Sequence, residues 1–171
     1  QREGEKRMKE VAIIMGRRGD RTAFGKAVGA RQSFGVPTEV NVFSAHRTPE
    51  QAGAFARSAR ANGFGVIIAA AGMAAHLAGA MAAGTTLPVI GIPIKSENLD
   101  GVDALLSTVQ MPSGIPVATV AIDGSVNAAL LSIQILAVED EGLARKLAEK
   151  RQRDAQKVLD ADREIEDALA H

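Results

Sequence analysis

His46 and Arg47 stand side by side in the stretch VFSAHRTPEQ, residues 42–51, directly after a β-branched apolar run and directly before a helix-start signal. An imidazole titrates near neutral pH, so it can give and take a proton without much tuning. A guanidinium presents a fixed fork of donors that suits phosphate or carboxylate oxygens. Together they point to proton transfer on an anionic ligand. Two other stretches carry groups of the same kind. GRRGD, residues 16–20, holds Arg17, Arg18 and Asp20, and AAGMAAH, residues 70–76, holds a second of the chain's three histidines, His76. Each has a plainer reading beside this one: a histidine before a helix can be a cap or a solvated side chain, Asp20 an N-cap, and the arginines a solvated surface pair. Most alanines near His76 read as tight helix packing, whereas Gly72 sits where backbone must approach closely or take φ > 0.

The elements that must position these residues alternate along the chain. VAIIM, residues 11–15, is the short continuous apolar run of a strand buried on both faces. Residues 21–34 read as a helix with Phe24, Ala27, Val28 and Phe34 on one side and Gly35 as its stop. Residues 39–43 form a second strand. Thr48, Pro49 and Gln51 fit the N-cap, first helical position and capping-box partner of a helix that runs to about Asn62 and ends at Gly63. A third strand (66–70), a helix (75–83), a fourth strand (88–94), a helix (103–109), a fifth strand (116–122) and an apolar helix (127–138) follow. Such alternation predicts an α/β fold, a parallel sheet covered on both faces, with the first three strands interior or nearly so. Ligands of these sheets bind at the carboxyl ends of the strands, beside helix N-termini that favour anions. Asp20, Ser44, His46, Arg47 and His76 are therefore expected on one rim.

One domain is expected over residues 1–171, with a core at about 11–138 and a helical extension at about 139–171. The extension is rich in Ala, Leu and charged residues, with Leu143, Leu147, Ala155, Val158, Leu159, Ile165 and Leu169 near helical spacing. So narrow a stripe packs either on its own domain or on a neighbouring subunit. Leu143 and Leu147 are expected to be buried partly against other subunits.

Twenty basic and twenty acidic residues give a formal net charge of zero, so no global electrostatic case exists for nucleic acid or an anionic membrane. The lack of cysteine removes thiol catalysis, cysteine zinc sites and disulfides, and fits a reducing compartment. Five phenylalanines are the only aromatics, which disfavours base stacking. Residues 61–94 carry no charged side chain and are long enough to raise the question of a membrane span. They are dominated by Ala and Gly and interrupted by His76, Pro88 and Pro93, which argues against one. QREGEKRMKE at the start is charged, and no long apolar run follows it. A soluble, cytoplasmic protein with neither nucleic-acid nor membrane partners is expected.

The blocks VAIIMG, SAHRTP, VIIA, AAHL, LPVIGIPI, LDGVDALLSTVQMPSGIPVATVAI and NAALLSIQIL, in this order over about 11–137, resemble class I PurE, the carboxyaminoimidazole ribonucleotide mutase family of purine biosynthesis. SAHRTP and QMPSGIPV are the most specific of them. The resemblance implies a flavodoxin-like three-layer αβα sandwich with a parallel sheet and an extended C-terminal helix, assembled as a homo-octamer with active sites near subunit contacts. It implies an isomerase that moves a carboxylate from the exocyclic nitrogen to a ring carbon of aminoimidazole ribonucleotide, with no metal and no cofactor. By resemblance His46 is the general acid and base, Arg47 binds the nucleotide phosphate, Asp20 holds ribose hydroxyls, and Gly16 and Arg17 belong to the phosphate loop. Ser44 and Ala45 carry backbone contacts, while Gly72, Ala74, Ala75, His76 and Leu77 form the wall around the base and the carbon dioxide. The chain departs from the family at two loops. G-S-x-S-D becomes Gly16-Arg17-Arg18-Gly19-Asp20, and G-A-G-G-A-A-H-L-P-G-M becomes the stretch from Ala70 to Ala80, with Ala70 and Met73 replacing glycine and Ala78 replacing proline. Three readings stay open: a mutase with a modified phosphate loop, a divergent paralogue acting on another small anionic substrate, and a non-catalytic oligomeric scaffold.

Overall fold

The computed structural model describes residues 8–170, with the backbone alone at 20–23. Its elements in chain order are β1 (Glu10–Met15), α1 (Arg21–Gln32, entered through a 3-10 turn at Arg18–Asp20), β2 (Thr38–Val42), α2 (Pro49–Ser58), β3 (Phe64–Gly72), α3 (Leu77–Gly84), β4 (Val89–Ile94), α4 (Val102–Val109), β5 (Ala118–Thr119), α5 (Ser125–Ala137) and α6 (Glu141–Leu169). All neighbouring strands are parallel, in the order β2-β1-β3-β4-β5. The chain goes from β1 outward to β2 and then returns to the other side with β3. The gap between the ends of β1 and β3 is thus the topological switch point of a flavodoxin-like sheet.

Strand alternation sorts the core into two faces. Val11, Ile13 and Met15 of β1, Val66 and Ile68 of β3 and Ile90, Ile92 and Ile94 of β4 pack with Phe24, Phe34, Ile133 and Leu143. The other face holds Ala12, Ile14, Ile67, Ala69 and Val89 against Ala52 and Ala56 of α2 and Leu77, Ala78, Met81 and Ala82 of α3. Small residues dominate this second face, so α2 and α3 lie close to the strands. The uncharged stretch 61–94 resolves into β3, α3 and β4, and among the described residues no helix is long and apolar enough to cross a membrane.

Several expectations need correction. β2 is an edge strand that pairs with β1 alone and leaves Val40 and Val42 exposed. β5 shrinks from seven expected residues to Ala118–Thr119, paired with Ile90 and Gly91. Pro116 has no N–H to donate, and past Thr119 the backbone still donates from Val120 to the Gly91 carbonyl at 3.1 Å and from Asp123 to the Pro93 carbonyl at 2.9 Å, but it turns at Asp123, φ 57, and the regular ladder does not continue. α2 starts as expected with Pro49 at its first turn, but no capping box forms, and it ends at Ser58 in turns that close at Gly63, φ +92. Leu143 is 2% exposed within its own chain, so it docks α6 on its own core and not on a neighbour, while Leu147 packs against the same core and stays partly exposed. Lys146 Nζ reinforces that docking by donating to the Phe34 carbonyl at 3.1 Å. Farther along α6 the side chains leave the core, with Val158 70% and Leu169 82% exposed.

Arg31 is the anomaly of α1. It falls on the stripe of Phe24, Ala27 and Val28, which turns it inward, and it is 0% exposed. Nη2 donates to the Pro37 carbonyl at 3.4 Å, while Nε and Nη1 have no partner. Burial lowers its pKa from the ordinary arginine range to about 10. A base whose folded pKa is depressed penalises folding fully at any pH below that value, and the penalty lifts only as pH rises beyond it. A buried guanidinium without a carboxylate is costlier than an apolar residue of similar volume. Arg31→Leu is expected to stabilise the fold at pH 7 by about 1–4 kcal/mol, raising Tm by several degrees in a circular-dichroism melt. An unchanged or lower Tm would mean that the guanidinium has a partner in solution.

Candidate active site

The carboxyl ends of β1, β2 and β3 open into one cavity of about 290 Å³. After β1, the Gly16 N–H still donates to the Ala70 carbonyl at 3.1 Å, so the chain leaves the sheet only at Arg17. Gly16 and Arg17 line the cavity, whereas Arg18 does not. The side chain of Asp20 lies outside the described residues.

After β2 the loop is cinched by two hydroxyls. Thr48 Oγ1 accepts from the Ser44 N–H at 2.8 Å and donates to the Ser44 carbonyl at 3.1 Å. Ser44 Oγ accepts from the Arg47 N–H at 3.1 Å. The Thr48 hydroxyl is therefore spent on the loop, which is why no side-chain cap forms on α2. Pro49 and the ring contacts Phe43–Phe55 (5.7 Å) and Phe55–Phe64 (5.4 Å) fix α2 beneath it. Ser44, Ala45, His46 and Arg47 all line the cavity.

After β3 the backbone turns sharply. Met73 takes φ 58, the Ala75 N–H donates to the Met73 carbonyl at 2.8 Å, and the His76 N–H donates to the Ala74 carbonyl at 2.8 Å. Gly72 is small for a reason, since a Cβ there would come within 3.2 Å of the Ile94 carbonyl oxygen. Gly72, Ala74, His76 and Leu77 line the cavity as expected. Ala75 does not: it is 1% exposed and supports the turn from behind. Two lining residues, Ala71 and Met73, were not expected. The available signal for Met73 was a bulky residue where the resembling family has glycine. Gly79 lies behind the His76 ring: a Cβ there would press on Met111 Sδ at 3.2 Å and reach only ordinary contact with His76 Nδ1 at 3.5 Å.

The two histidines from separate loops meet here. Their ring centroids are 6.3 Å apart and the planes differ by 27°. Both rings are exposed toward the cavity mouth, with Arg17 and Arg47 beside them and no carboxylate among the described lining residues. N-termini of α2 and α3 point at the same edge, so the field favours an anion. The arrangement provides a proton donor and acceptor within reach of a bound phosphate or carboxylate.

The AIR carboxylase family pattern matches residues 10–157. The chain is 50% identical over 156 residues to the N5-carboxyaminoimidazole ribonucleotide mutase of Synechocystis sp., an alignment that spans 91% of this chain and 89% of the relative. It is 51% identical over 157 residues to the protein of the same name from Bacillus subtilis, spanning 91% and 97%. A crystal structure of Treponema denticola PurE superposes with a TM-score of 0.83 at 28% identity, over 90% of this chain and 96% of that one.

The electrostatics of the cavity can be checked with a bare anion. Inorganic phosphate is expected to bind the protein in a salt-dependent way, and Arg47→Ala to weaken that binding by about 10-fold or more, the value of a lost charge-assisted hydrogen bond. Equal affinities for both proteins in calorimetry would remove Arg47 from the anion site.

Proposed function

The chain belongs to the AIR carboxylase family, and from that membership we propose that it acts as an N5-carboxyaminoimidazole ribonucleotide mutase in purine biosynthesis. The carboxylate leaves the exocyclic nitrogen and rejoins the molecule at a ring carbon. In bond terms the N–C bond breaks, the nitrogen gains a proton, and carbon dioxide is held. The ring carbon then attacks it, a C–C bond forms, and the ring carbon gives up its proton. One proton is delivered and one removed, so a single group that does both returns to its starting state. No electrons are transferred, and no external group needs to be consumed.

The observation that carries this reading is the His46–His76 pair at 6.3 Å on a cavity whose charged lining residues, among the described residues, are arginines. His46 takes the acid–base role, and Arg47 holds the phosphate. Arg17 joins Arg47 where the family has serine hydroxyls, which exchanges neutral donors for a charge-assisted contact. Asp20 is assigned to the ribose hydroxyls, Ser44 and Ala45 to backbone contacts, and Gly72, Ala74, His76 and Leu77 to the wall. Ala75 acts through the turn it supports. The same reading carries a cytoplasmic location and assembly as a homo-octamer. Exposed apolar residues support self-association: Val102, Leu106 and Val109 on α4, and Val158, Leu159, Ile165 and Leu169 on α6.

Three outcomes test it. His46→Asn should retain aminoimidazole ribonucleotide binding while turnover falls by about 10²-fold or more, and near-normal turnover would remove His46 from the mechanism. Arg17→Ser should weaken nucleotide binding by about 10-fold or more; tighter binding would mean that Arg17 obstructs the phosphate. Light scattering should give the mass of a closed oligomer at micromolar concentration, and a stable monomer would refute the assembly.

A further inference from the structure

Met73 is held at φ 58, in the left-handed region that glycine enters freely and side chains enter at a cost. Buried apolar contact could offset such a cost, but Met73 belongs to neither core cluster and is 52% exposed. Its side chain instead lines the cavity that holds His46 and His76. The backbone conformation itself is needed, because the Ala75-to-Met73 and His76-to-Ala74 hydrogen bonds turn β3 into α3 at that point. The turn therefore explains the φ and leaves the side chain unexplained. A methionine is unbranched, with three rotatable bonds and an apolar, polarisable thioether, so it can change shape at a pocket mouth without moving backbone. With it in place the cavity still measures about 290 Å³, so the side chain forms part of the wall and does not fill the site.

We infer that Met73 is a side-chain lid: its thioether folds over bound nucleotide, excludes water and keeps the released carbon dioxide beside the ring carbon. This rests on the carboxylate-transfer reading. Carbon dioxide is uncharged and gains nothing from Arg17 or Arg47, so only an apolar enclosure retains it until the C–C bond forms. Apart from Met73 the lining mixes the small apolar residues Ala45, Ala71 and Ala74 and the buried Leu77 with Ser44, Arg47 and both imidazoles, and Met73 is the one long apolar side chain exposed on it among the described residues. Loss of the lid should therefore leave phosphate recognition intact and let the intermediate escape as free carbon dioxide and aminoimidazole ribonucleotide.

Two measurements on the full chain decide this. Brief oxidation with hydrogen peroxide, read by mass spectrometry, compares Met73 with Met8, which is 38% exposed and precedes β1 at the opposite edge of the sheet. Saturating aminoimidazole ribonucleotide should slow oxidation of Met73 by about 5-fold or more and leave Met8 unchanged. Met73→Gly should melt no lower than the wild type, since glycine accepts this φ. With the N-carboxylated substrate it should keep KM within about 3-fold while the share of turnover lost as decarboxylated nucleotide rises several-fold. Unprotected Met73 in a protein that calorimetry shows to be saturated, or an unchanged product ratio in Met73→Gly, would overturn the lid and leave the mutase reading standing. Faster turnover without leakage in Met73→Gly would overturn it too, making Met73 an obstruction. Absence of nucleotide binding to the wild type would fell the mutase reading, and the lid with it.

Discussion

The bareness of two glycines sets the distance between the cavity rim and the helices that carry it. A Cβ at Gly84 would meet the Ala56 Cβ at 2.8 Å, and one at Gly91 would meet Thr108 Cγ2 at 2.4 Å and the Ala78 Cβ at 3.2 Å. α3 thus lies against α2 on one side and against β4 on the other with almost no side-chain spacer. Because α2 begins just after His46 and α3 just after His76, this contact also determines how near the two rings come. Larger residues would push the helix axes apart, since close-packed interiors yield little. The alanine-rich composition that looked like mere packing is what brings two loops, separated by a full β-α unit, onto one cavity.

How much of this was legible in the sequence depended on whether a local signal and the tertiary context agreed. β1 was plain, because a strand buried on both faces has to be apolar at every position, and Val11 to Met15 are. The start of α2 was plain because Pro49 suits only a first turn. The capping box was misread for a local reason: the Thr48 hydroxyl had two partners on offer, and Ser44, four residues earlier, took it. β5 was overcalled because an apolar run such as PVATVAI reports which side chains face inward, not whether the backbone keeps a regular ladder: past Thr119 it still bonds β4 at Val120 and Asp123, but irregularly. β2 was expected to be interior or nearly so, yet β-branched residues suit an exposed edge equally well, and composition alone does not separate the two.

The outward part of α6 and the inward side of α1 show the opposite failure. In α6 an apolar stripe does not tell which protein covers it: Leu143 is covered by its own chain, whereas Leu169 is bare. In α1 the helical stripe was correct, and the residue that breaks it, Arg31, is buried nonetheless. Burial here follows helix geometry, not polarity. The neighbouring apolar positions gain enough by facing the sheet to carry the guanidinium in with them, and among the described residues the Pro37 carbonyl alone receives it. At the C-terminal end of the same segment Lys146 reaches across from α6 to the Phe34 carbonyl, so α6 closes the turn whose helix contains the unpaired charge.

On the proposed mechanism, the division of labour at the rim follows from which atoms need to stay still. Proton transfer requires a fixed imidazole, because efficiency falls steeply when donor and acceptor drift. His46 accordingly sits in a loop whose backbone is tied at Ser44, Arg47 and Thr48. His76 sits at the start of a helix, its N–H bonded to the Ala74 carbonyl and its carbonyl to the Ala80 N–H. Retaining a small uncharged fragment makes a different demand. Any rigid wall tight enough to hold it would also block a nucleotide from entering, so one part of the enclosure has to yield. Moving a loop would break the hydrogen bonds that hold the histidines. Moving a single thioether breaks none, and the left-handed residue after Gly72 is where the backbone turn already stands free of the core. In this fold, therefore, mobility at the site is best carried by a side chain, and the backbone strain at Met73 is the local cost of placing it there.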